Sequence, residues 1–184
     1  QDQPKAMKML TALDKATSMM ESIITSLKRF SHSGNVENQK VSLKAILDQS
    51  LLITRGKCKQ NSVLIETNIC ETEVVGNEVK LTQVFINLIN NSIDAMKDLP
   101  KKTIRIECIE KDSHIQLVFR DAGEGIPADI ANQIFNKFYS TKEVGKGTGL
   151  GLAICRQIIE EHNGTSDLDM NQKNTTFVID FPKN

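Results

Sequence analysis

The chain has 184 residues with 23 basic and 23 acidic side chains, so its formal net charge is zero. This length allows one domain with a buried core plus an appendage. Balanced charge argues against binding to nucleic acid or to an anionic membrane surface. No apolar run is long enough to cross a bilayer and no secretory leader opens the sequence, so we expect a soluble, cytoplasmic piece without membrane contact.

The chain begins Gln1-Asp2-Gln3 rather than with methionine, from which we expect a fragment of a longer protein. Its four cysteines show neither a Cys-x-x-Cys spacing nor a nearby histidine that would complete a zinc site. We therefore expect Cys58, Cys70, Cys108 and Cys155 to be buried, reduced thiols, as is typical of cytoplasmic proteins.

The first predicted element is a helix from Lys5 to Ser31, ended near Gly34. Its apolar residues recur at steps of three and four, which is typical of a coiled-coil seam: Ala6, Met9, Leu13, Ala16, Met20, Ile23, Leu27 and Phe30. Such a helix needs a helical partner, and we favour a bundle whose other strands lie outside this chain or on a second copy. The alternative is that the helix packs back on the globular part.

Short strands and helices alternate in the rest of the sequence. Helices are predicted from Ser42 to about Arg55, from Asn77 to Lys97, from Pro127 to Asn136 and from Gly147 to His162. Strands are predicted over Ser62–Thr67, near Val74–Val75, over Thr103–Ile109 with His114–Arg120 as a hairpin, and over Ser166–Met170 with Thr175–Phe181 as another. Because strands pair with their neighbours while helices form a layer, the predicted class is α+β, one sheet with helices on one face.

The helix from Asn77 carries an amide-rich stripe. At 100° per residue, five polar side chains fall within about a third of the wheel: Gln83, Asn87, Asn90, Asn91 and Asp94. A solvent-facing stripe more usually carries lysine and glutamate, which are better helix formers than asparagine. Carboxamide oxygens together with substrate phosphates and waters suit Mg²⁺, although an ordinary polar face stays an alternative.

Two glycine-containing stretches suggest a nucleotide site. Asp121 ends a predicted strand and is followed by Gly123 and Gly125, so its carboxylate could accept a hydrogen bond from the exocyclic amine of adenine, although a simple turn would look the same. Glycines at 145, 147, 149 and 151 precede an apolar helical run. Free amides at a helix N-terminus can bind phosphate oxygens.

Four stretches together resemble the nucleotide-binding motifs of sensor histidine kinases. Gln83 to Ala95 resembles their N box, Asp121 to Ile126 their first glycine box, Ile134 to Lys142 their F box, and Gly145 to Leu152 their second glycine box. Because the motifs follow the family's order and spacing, the chain is identified as a member of this family, within the GHKL superfamily.

The resemblance implies an architecture. Residues 41–182 would form the catalytic ATP-binding domain, a Bergerat-type two-layer α/β sandwich with a mixed sheet and helices on one face. Residues 1–34 would supply the second helix of the dimerisation and phosphoacceptor hairpin, preceding the sandwich as one long coiled-coil-like helix. A homodimer through that hairpin and a response-regulator receiver domain are the implied partners, and the parent protein could be anchored in the inner membrane.

The resemblance also implies residue roles. Asp121 would read adenine, and Asn91, with Asn87 behind it, would hold Mg²⁺ against the triphosphate; these two asparagines and Lys142 would be catalytic. Phe135 and Phe138 would anchor a lid between residues 126 and 146. The implied ATP site comprises Asn87, Asn91, Asp94, Asp121, Gly123, Gly125, Ile126, Phe138, Lys142, Gly145, Lys146, Gly147, Thr148, Gly149, Leu150 and Gly151.

The chemistry favours transfer over hydrolysis. Related gyrase, Hsp90 and MutL ATPases carry a glutamate four residues before the magnesium asparagine, whereas Asn87 stands there and an amide cannot take a proton from water. None of His32, His114 and His162 lies in a phosphoacceptor context, so the acceptor is expected outside this chain. The alternatives are a serine kinase or anti-sigma-type module on the same fold, and a scaffold without phosphotransfer.

Overall fold

A computed structural model describes residues 38–142 and 147–183, together with Met7 and Thr17. The predicted coiled-coil-like helix lies outside the described residues, apart from Met7 and Thr17, which are both helical. Of the predicted domain boundary at residues 34 to 41, only residues 38–41 are described.

The described elements alternate between strands and helices, as the sequence pattern predicts. The strands are β1 (Gln39–Ser42), β2 (Leu64–Asn68), β3 (Glu73–Gly76), β4 (Thr103–Glu110), β5 (His114–Asp121), β6 (Thr165–Leu168) and β7 (Thr176–Pro182). The helices are α1 (Leu43–Gln60), α2 (Glu78–Ala95), α3 (Ala128–Ala131) and α4 (Gly151–Glu161).

A mixed five-stranded sheet has the order β2-β4-β5-β7-β6, and β1 pairs with β3 in a separate two-stranded sheet. β2 runs parallel to β4, while the other pairs of the large sheet are antiparallel. β4 and β5 form the predicted hairpin, with Ile106 opposite Phe119. Ile104 pairs with Asp121, so the carboxylate lies at the end of the central strand.

The core lies between the large sheet and a layer formed by α1, α2 and α4. Apolar side chains of α2 such as Phe85 are buried against the sheet, and the Phe85 and Phe119 ring centroids are 5.4 Å apart. β4 alternates buried Ile104 and Ile106 with the exposed Arg105 between them. This one-sided burial is the period-two pattern of a sheet with helices on one face, so the predicted α+β sandwich is confirmed.

Helix starts are set by local capping. The Ser42 side chain accepts a hydrogen bond from the Ala45 amide at 3.2 Å, and the Asn77 side chain accepts one from the Lys80 amide at 3.0 Å. Both caps satisfy amides that otherwise lack intrahelical partners. The predicted starts of α1 and α2 are therefore confirmed, although α1 continues to Gln60, beyond the predicted end near Arg55.

Other boundaries differ from the prediction. β1 was not predicted, because its pairing partner β3 lies far along the chain. The helix expected over 127–136 is limited to α3 and is followed by turns, and the last helix begins at Gly151 rather than Gly147. Glycine is a poor helix former, and Gly149 has a φ of 65°, which is incompatible with a right-handed helix.

The prediction of four reduced cysteines is wrong for two of them. Cys70 and Cys108 form a disulfide, with Cα atoms 5.8 Å apart and a sequence separation of 38. The bond joins β4 to the segment that follows the edge strand β2. It thus holds the two chain segments together just beyond the last β2–β4 backbone pair, Asn68 with Glu107. Cys58 and Cys155 are buried free thiols, as predicted.

Candidate functional site

One cleft of about 660 Å³ brings together the four motif regions of the sequence. Its lining comes from the C-terminal half of α2, from β5 and β7, from the segment around α3, and from the glycine-rich start of α4. The lining residues are Asn91, Ala95, Asp121, Gly125, Ile126, Pro127, Ile130, Ile134, Tyr139, Ser140, Thr141, Lys142, Gly147, Thr148, Gly149, Gly151, Leu152, Thr175 and Phe177.

We call Asp121, Thr175 and Phe177 the sheet end of the cleft, because all three belong to or adjoin β5 and β7. Asp121 is only 4% exposed. Its Oδ1 accepts a hydrogen bond from the Gly123 amide at 2.9 Å, and the hydroxyl groups of Ser92 and Thr175 also hydrogen-bond to the carboxylate. The Asp121 amide donates to the Thr175 carbonyl at 3.1 Å, so backbone and side chain are both fixed.

Burial raises the pKa of Asp121 above its ordinary value, although the three hydrogen bonds partly oppose this shift. A carboxylate that is held by donors and lies in a cleft still has free lone pairs. It can accept a further hydrogen bond from a ligand amine, which would reduce the cost of keeping its charge buried. The arrangement suits a planar ligand that carries an N–H donor at its edge.

Gly125 explains why glycine is required at this end. Its φ is 87°, and a Cβ there would come within 2.6 Å of the Lys173 carbonyl oxygen. A side chain at this position would therefore push the β6–β7 connection away. Gly123 does not line the cleft, but its amide holds Asp121 and its carbonyl accepts a hydrogen bond from Asn174 at 2.7 Å.

We call Asn91, Lys142 and glycines 147, 149 and 151 the loop end of the cleft. The Lys142 ammonium group lies 2.7 Å from Asp94 Oδ2 and 3.5 Å from Asn91 Oδ1. Lys57 of α1 contacts the other Asp94 oxygen at 2.9 Å. A cation is thus held beside a carboxamide oxygen at the mouth of the cleft.

Partial burial acts to raise the pKa of Asp94, but the hydrogen bonds from Lys142 and Lys57 outweigh it and lower the pKa below its ordinary value. Asp94 is therefore an anion at neutral pH and does not itself line the cleft. It was predicted as an ATP contact; in this structure it contacts the lysine instead.

The glycine-rich start of α4 lines the same cleft as Asn91. A Cβ at Gly149 would come within 2.7 Å of the Tyr139 backbone nitrogen, and the Phe138 amide donates to the Gly149 carbonyl at 2.9 Å. The glycine loop is therefore packed directly on the preceding segment. Gly147, Thr148, Gly149 and Gly151 line the cleft, whereas Leu150 is buried, and Gly145 and Lys146 lie outside the described residues.

Asn87 is one helical turn before Asn91 but does not line the cleft. Its side chain hydrogen-bonds with the thiol of Cys155 in α4, whose pKa burial raises to about 12. The same thiol lies 3.8 Å from the Val84 carbonyl. Asn87 thus joins α2 to α4 directly behind Asn91.

The two phenylalanines predicted to anchor a lid behave differently. The Phe135 ring packs edge-on against Phe177, with centroids 6.3 Å apart, and the Arg156 guanidinium carbon lies 3.6 Å from its centroid. Phe138 has a φ of 68° and a side chain that is 65% exposed and absent from the cleft lining. Phe138 thus does not line the cleft in this structure, and its roles as a lid anchor and an ATP contact stay predictions.

Sequence reasoning missed the contributions of distant strands and of the α3 region. Thr175 and Phe177 adjoin Asp121 only because β7 pairs with β5. Tyr139, Ser140 and Thr141 lie within the F-box stretch, Ile134 to Lys142, but were not predicted to line the ATP site. Their position next to Lys142 was the signal that could have found them.

The histidines differ in environment. His114 Nε2 lies 3.6 Å from Asp180 Oδ1 on the sheet, His162 ends α4 and is buried, and His32 lies outside the described residues. Neither described histidine lines the cleft.

A metal ion at the loop end would have to use oxygen ligands from outside the chain as well. Within residues 38–142 and 147–183, no group of three or more histidine, cysteine, aspartate or glutamate side chains is arranged to hold a metal. Asn91 lines the cleft, and its carboxamide oxygen is a hard donor that lies 3.5 Å from the Lys142 ammonium group. This fits Mg²⁺, which usually keeps waters and takes substrate phosphates as ligands.

Comparison with known proteins identifies the same region. The profile of the family described as "Histidine kinase-, DNA gyrase B-, and HSP90-like ATPase" matches residues 76–184. Sporulation kinase A of Bacillus subtilis (strain 168) is 35% identical over 152 residues, which cover 81% of this chain and 24% of that kinase. The chain spans about a quarter of the length of the curated relatives that it matches.

Solved structures share the fold. The catalytic domain of histidine kinase ThkA, in a nucleotide-free form, superposes with a TM-score of 0.70 at 27% identity and covers 80% of this chain and 99% of that one. Histidine kinase ThkA in complex with response regulator protein TrrA gives a TM-score of 0.72 at 21% identity, covering 100% of this chain and 53% of that one, a likeness of fold alone. None of the described helices is both long and apolar enough to cross a membrane.

Proposed function

The chain belongs to the histidine kinase-, DNA gyrase B- and HSP90-like ATPases, as the ATP-binding catalytic region of a sensor histidine kinase, and on this premise we propose how its cleft works. The cleft binds Mg²⁺-ATP and presents the γ-phosphoryl group to a histidine that is none of the three in this chain. The observation that carries this proposal is the single cleft that unites buried Asp121 with Asn91, Lys142 and the start of α4.

Asp121 orients the base in this proposal. Its carboxylate accepts a hydrogen bond from the adenine amine, while Gly125 lets the backbone approach the ring. Because Gly123, Ser92 and Thr175 already hold the carboxylate, little ordering is needed on binding. A ligand without a donor at this edge would leave a buried anion unpaired, which disfavours it.

The loop end binds the phosphates. Backbone amides of residues 147–151 donate to phosphate oxygens, assisted by the dipole of α4. Asn91 supplies a carboxamide oxygen for Mg²⁺, which neutralises phosphate charge when bound. Lys142, which contacts Asp94 in this structure, is close enough to exchange that carboxylate for a phosphate, so its charge is already positioned.

Transfer to an imidazole is favoured over transfer to water. A hydrolytic site needs a base for water, and the residue one turn before Asn91 is the amide Asn87, which is engaged with Cys155. We therefore expect very slow ATPase activity from this chain alone. Rapid turnover that disappears in an Asn91→Ala variant would contradict this.

The proposal extends to partners and location. The histidine would belong to a helical hairpin to which residues 1–34 contribute the second helix, residues 41–182 would be the catalytic domain, and the hairpin would make the parent protein a homodimer. A receiver domain would take the phosphoryl group from that histidine, as the complex of ThkA with TrrA suggests for this chain. On this proposal the domain lies in the cytoplasm, where ATP is available, and the Cys70–Cys108 bond would there meet reducing conditions.

Calorimetric titration with ADP tests binding. We expect binding that strengthens with Mg²⁺, and Asn91→Ala to remove most of that metal dependence. Asn90→Ala is the matched control, because Asn90 is on the same helix but does not line the cleft. A chain that binds no ADP would support the scaffold alternative instead.

A transfer assay tests the acceptor. The chain is mixed with a separately supplied helical hairpin that contains a histidine, using ATP labelled in its γ-phosphoryl group. We expect acid-labile label on the hairpin, lost in the same hairpin with the histidine replaced by glutamine. Acid-stable label on a serine would support the serine-kinase alternative and sink this one.

A further inference from the structure

A buried histidine joins the two helices of the cleft at the ends remote from it. His162 is 4% exposed and caps the C-terminus of α4. Its Nε2 accepts a hydrogen bond from the Asn77 backbone amide at 2.8 Å, and its Nδ1 lies 2.6 Å from the Ile158 carbonyl oxygen. Asn77 is in turn the N-cap of α2.

These two contacts define the state of the ring. A carbonyl oxygen only accepts, so Nδ1 must carry the hydrogen that it donates to Ile158. An amide only donates, so Nε2 must be unprotonated to accept from Asn77. The geometry therefore requires a neutral imidazole in one tautomer.

The ring lies close to the backbone just before α2. A Cβ added at Gly76 would overlap its Cδ2 atom, so a glycine is needed there to leave space for the imidazole. The charged groups next to it are Glu161 on α4 and Lys80 on α2, which pair with each other at 2.8 Å. That ion pair joins the same two helix ends as the ring does.

The position of this contact matters because of what lies at the other end of each helix. Asn91 is 14 residues along α2 from Asn77, about 21 Å at 1.5 Å per residue. Gly151 is 11 residues back along α4 from His162, about 16 Å. α2 and α4 thus meet through His162 at one end and enclose the loop end of the cleft at the other.

We propose that His162 is a positioning residue for phosphate and metal binding, and that its neutral ring sets the alignment of α2 against α4. Without an acceptor at this position the Asn77 amide loses this hydrogen bond, and the remote ends of the two helices are no longer tied together by it. The Asn87–Cys155 contact still joins α2 to α4 nearer the cleft, so the helices would pivot about it and the spacing between Asn91 and the amides of α4 would change. Affinity for a ligand that needs both groups would then fall.

This inference rests on the proposed function, because it assumes that the loop end holds phosphates. It differs from a purely structural role in predicting which ligands are affected. Adenosine uses only the sheet end and should be indifferent to the alignment of α2 and α4. Mg²⁺-ADP uses both ends and should respond.

The test measures Mg²⁺-ADP and adenosine affinity by calorimetry, at one neutral pH, for wild type, His162→Ala and His162→Gln. His162→Gln is the informative variant, because its carboxamide oxygen can take the place of Nε2 as acceptor for Asn77, whereas alanine offers no acceptor. We expect His162→Ala to lose roughly 10-fold in Mg²⁺-ADP affinity, as the loss of a buried hydrogen bond predicts, and His162→Gln to restore most of it. Adenosine affinity should differ little among the three proteins.

An Mg²⁺-ADP affinity of His162→Ala equal to that of wild type would overturn the inference. So would an equal loss of adenosine and Mg²⁺-ADP affinity in His162→Ala, or a failure of His162→Gln to restore Mg²⁺-ADP binding.

The outcomes separate this inference from the proposed function. If wild type binds no Mg²⁺-ADP, the proposed function fails and the inference fails with it. If wild type binds and His162→Ala binds equally well, only the inference fails. If His162→Ala does not fold, His162→Leu takes its place, because leucine keeps the bulk of the side chain but offers no acceptor to the Asn77 amide.

Discussion

The sheet end and the loop end of the cleft are built by different means. At the sheet end, Asp121 is held by a backbone amide and two hydroxyl groups and is almost fully buried. At the loop end, Lys142 forms an ion pair with Asp94, and these two side chains are 35% and 37% exposed. One end is fixed by the hydrogen bonds of β5 and β7, and the other by ion pairs that water and salt can reach.

This difference separates two tasks. Strand pairing leaves few alternative positions for Asp121, so the proposed base site is formed before any ligand arrives. Ion pairs between partly exposed side chains contribute little and exchange readily, so the proposed phosphate site can rearrange on binding. Changes at the sheet end should therefore affect every adenine ligand, whereas changes at the loop end should depend on phosphates, metal and salt.

The largest expected effect concerns the stability of the sheet that carries the base site. Replacing Cys70 and Cys108 by serine removes a bond that closes a loop of 38 residues. The free energy of unfolding should fall by about 3 to 4 kcal/mol relative to the oxidised wild type, while Mg²⁺-ADP affinity stays unchanged. Urea denaturation of the oxidised, reduced and substituted proteins measures it.

Cys58→Ser is the control, because that thiol is free and should leave the response to reductant intact. Equal stability of oxidised and reduced wild type would show that the bond contributes nothing. A large change in Mg²⁺-ADP affinity on reduction would contradict the separation between sheet stability and the loop end.

Asp121→Asn should lower the affinity for ADP and adenosine alike by roughly 30-fold, because a charge-assisted hydrogen bond contributes on the order of 2 kcal/mol. The lost contact lies at the sheet end, so removing Mg²⁺ should not change the ratio of wild-type affinity to variant affinity. Calorimetry with both ligands measures it. A loss confined to ADP would break the comparison between the two ends.

The pH dependence of adenosine binding also tests the contribution of Asp121 at the sheet end. Burial raises the pKa of Asp121, so the folded protein takes up a proton at a higher pH than an ordinary aspartate does. Adenosine affinity should fall as pH drops through that raised pKa, and the fall should be absent in Asp121→Asn. The stability of the unliganded protein changes in the opposite direction. Burying the charged form of Asp121 lowers the free energy of unfolding at neutral pH, and this stability is regained as the pH falls.

Lys142→Ala should weaken Mg²⁺-ATP binding about five-fold, because one partly exposed ammonium group contributes roughly 1 kcal/mol near a phosphate. Lys57→Ala is the matched control, because Lys57 is the second lysine that pairs with Asp94 and Lys57 does not line the cleft. The difference between the two variants should shrink in high salt and vanish for adenosine. Equal effects of both variants would show that only the charge around Asp94 matters.

The smallest expected effect is that of Asp94→Asn. The Lys142 and Lys57 contacts lower the pKa of Asp94, so its contribution to stability is present at neutral pH and lost as the pH falls through that lowered pKa. The variant should be about 0.5 kcal/mol less stable at neutral pH and equal to wild type in strong acid. Thermal denaturation at both pH values measures it, and a constant difference would contradict the assignment.

The parts of the fold that could be predicted from sequence are those with a local cause. Ser42 and Asn77 cap helices through amides three residues away, and the β4–β5 hairpin follows from alternation on both sides of a short turn. The amide stripe on α2 needs only helical periodicity. Asp121 and Asn91 were placed in one cleft because the motifs of a known family contain them.

What could not be predicted depends on residues far apart in sequence. The Cys70–Cys108 bond spans 38 residues and the Lys142–Asp94 pair 48, and no local pattern marks either one. Thr175 and Phe177 enter the cleft through strand order alone. His162 looked like an ordinary helix end, and only the packing of α4 against Gly76 and Asn77 reveals its buried contacts.

Tyr139, which lies in the cleft wall, is the only tyrosine of a chain that contains no tryptophan. Its ultraviolet emission therefore originates at one place, beside the glycine loop. Occupancy of the cleft can be followed optically in the unaltered protein, without a dye or an engineered reporter.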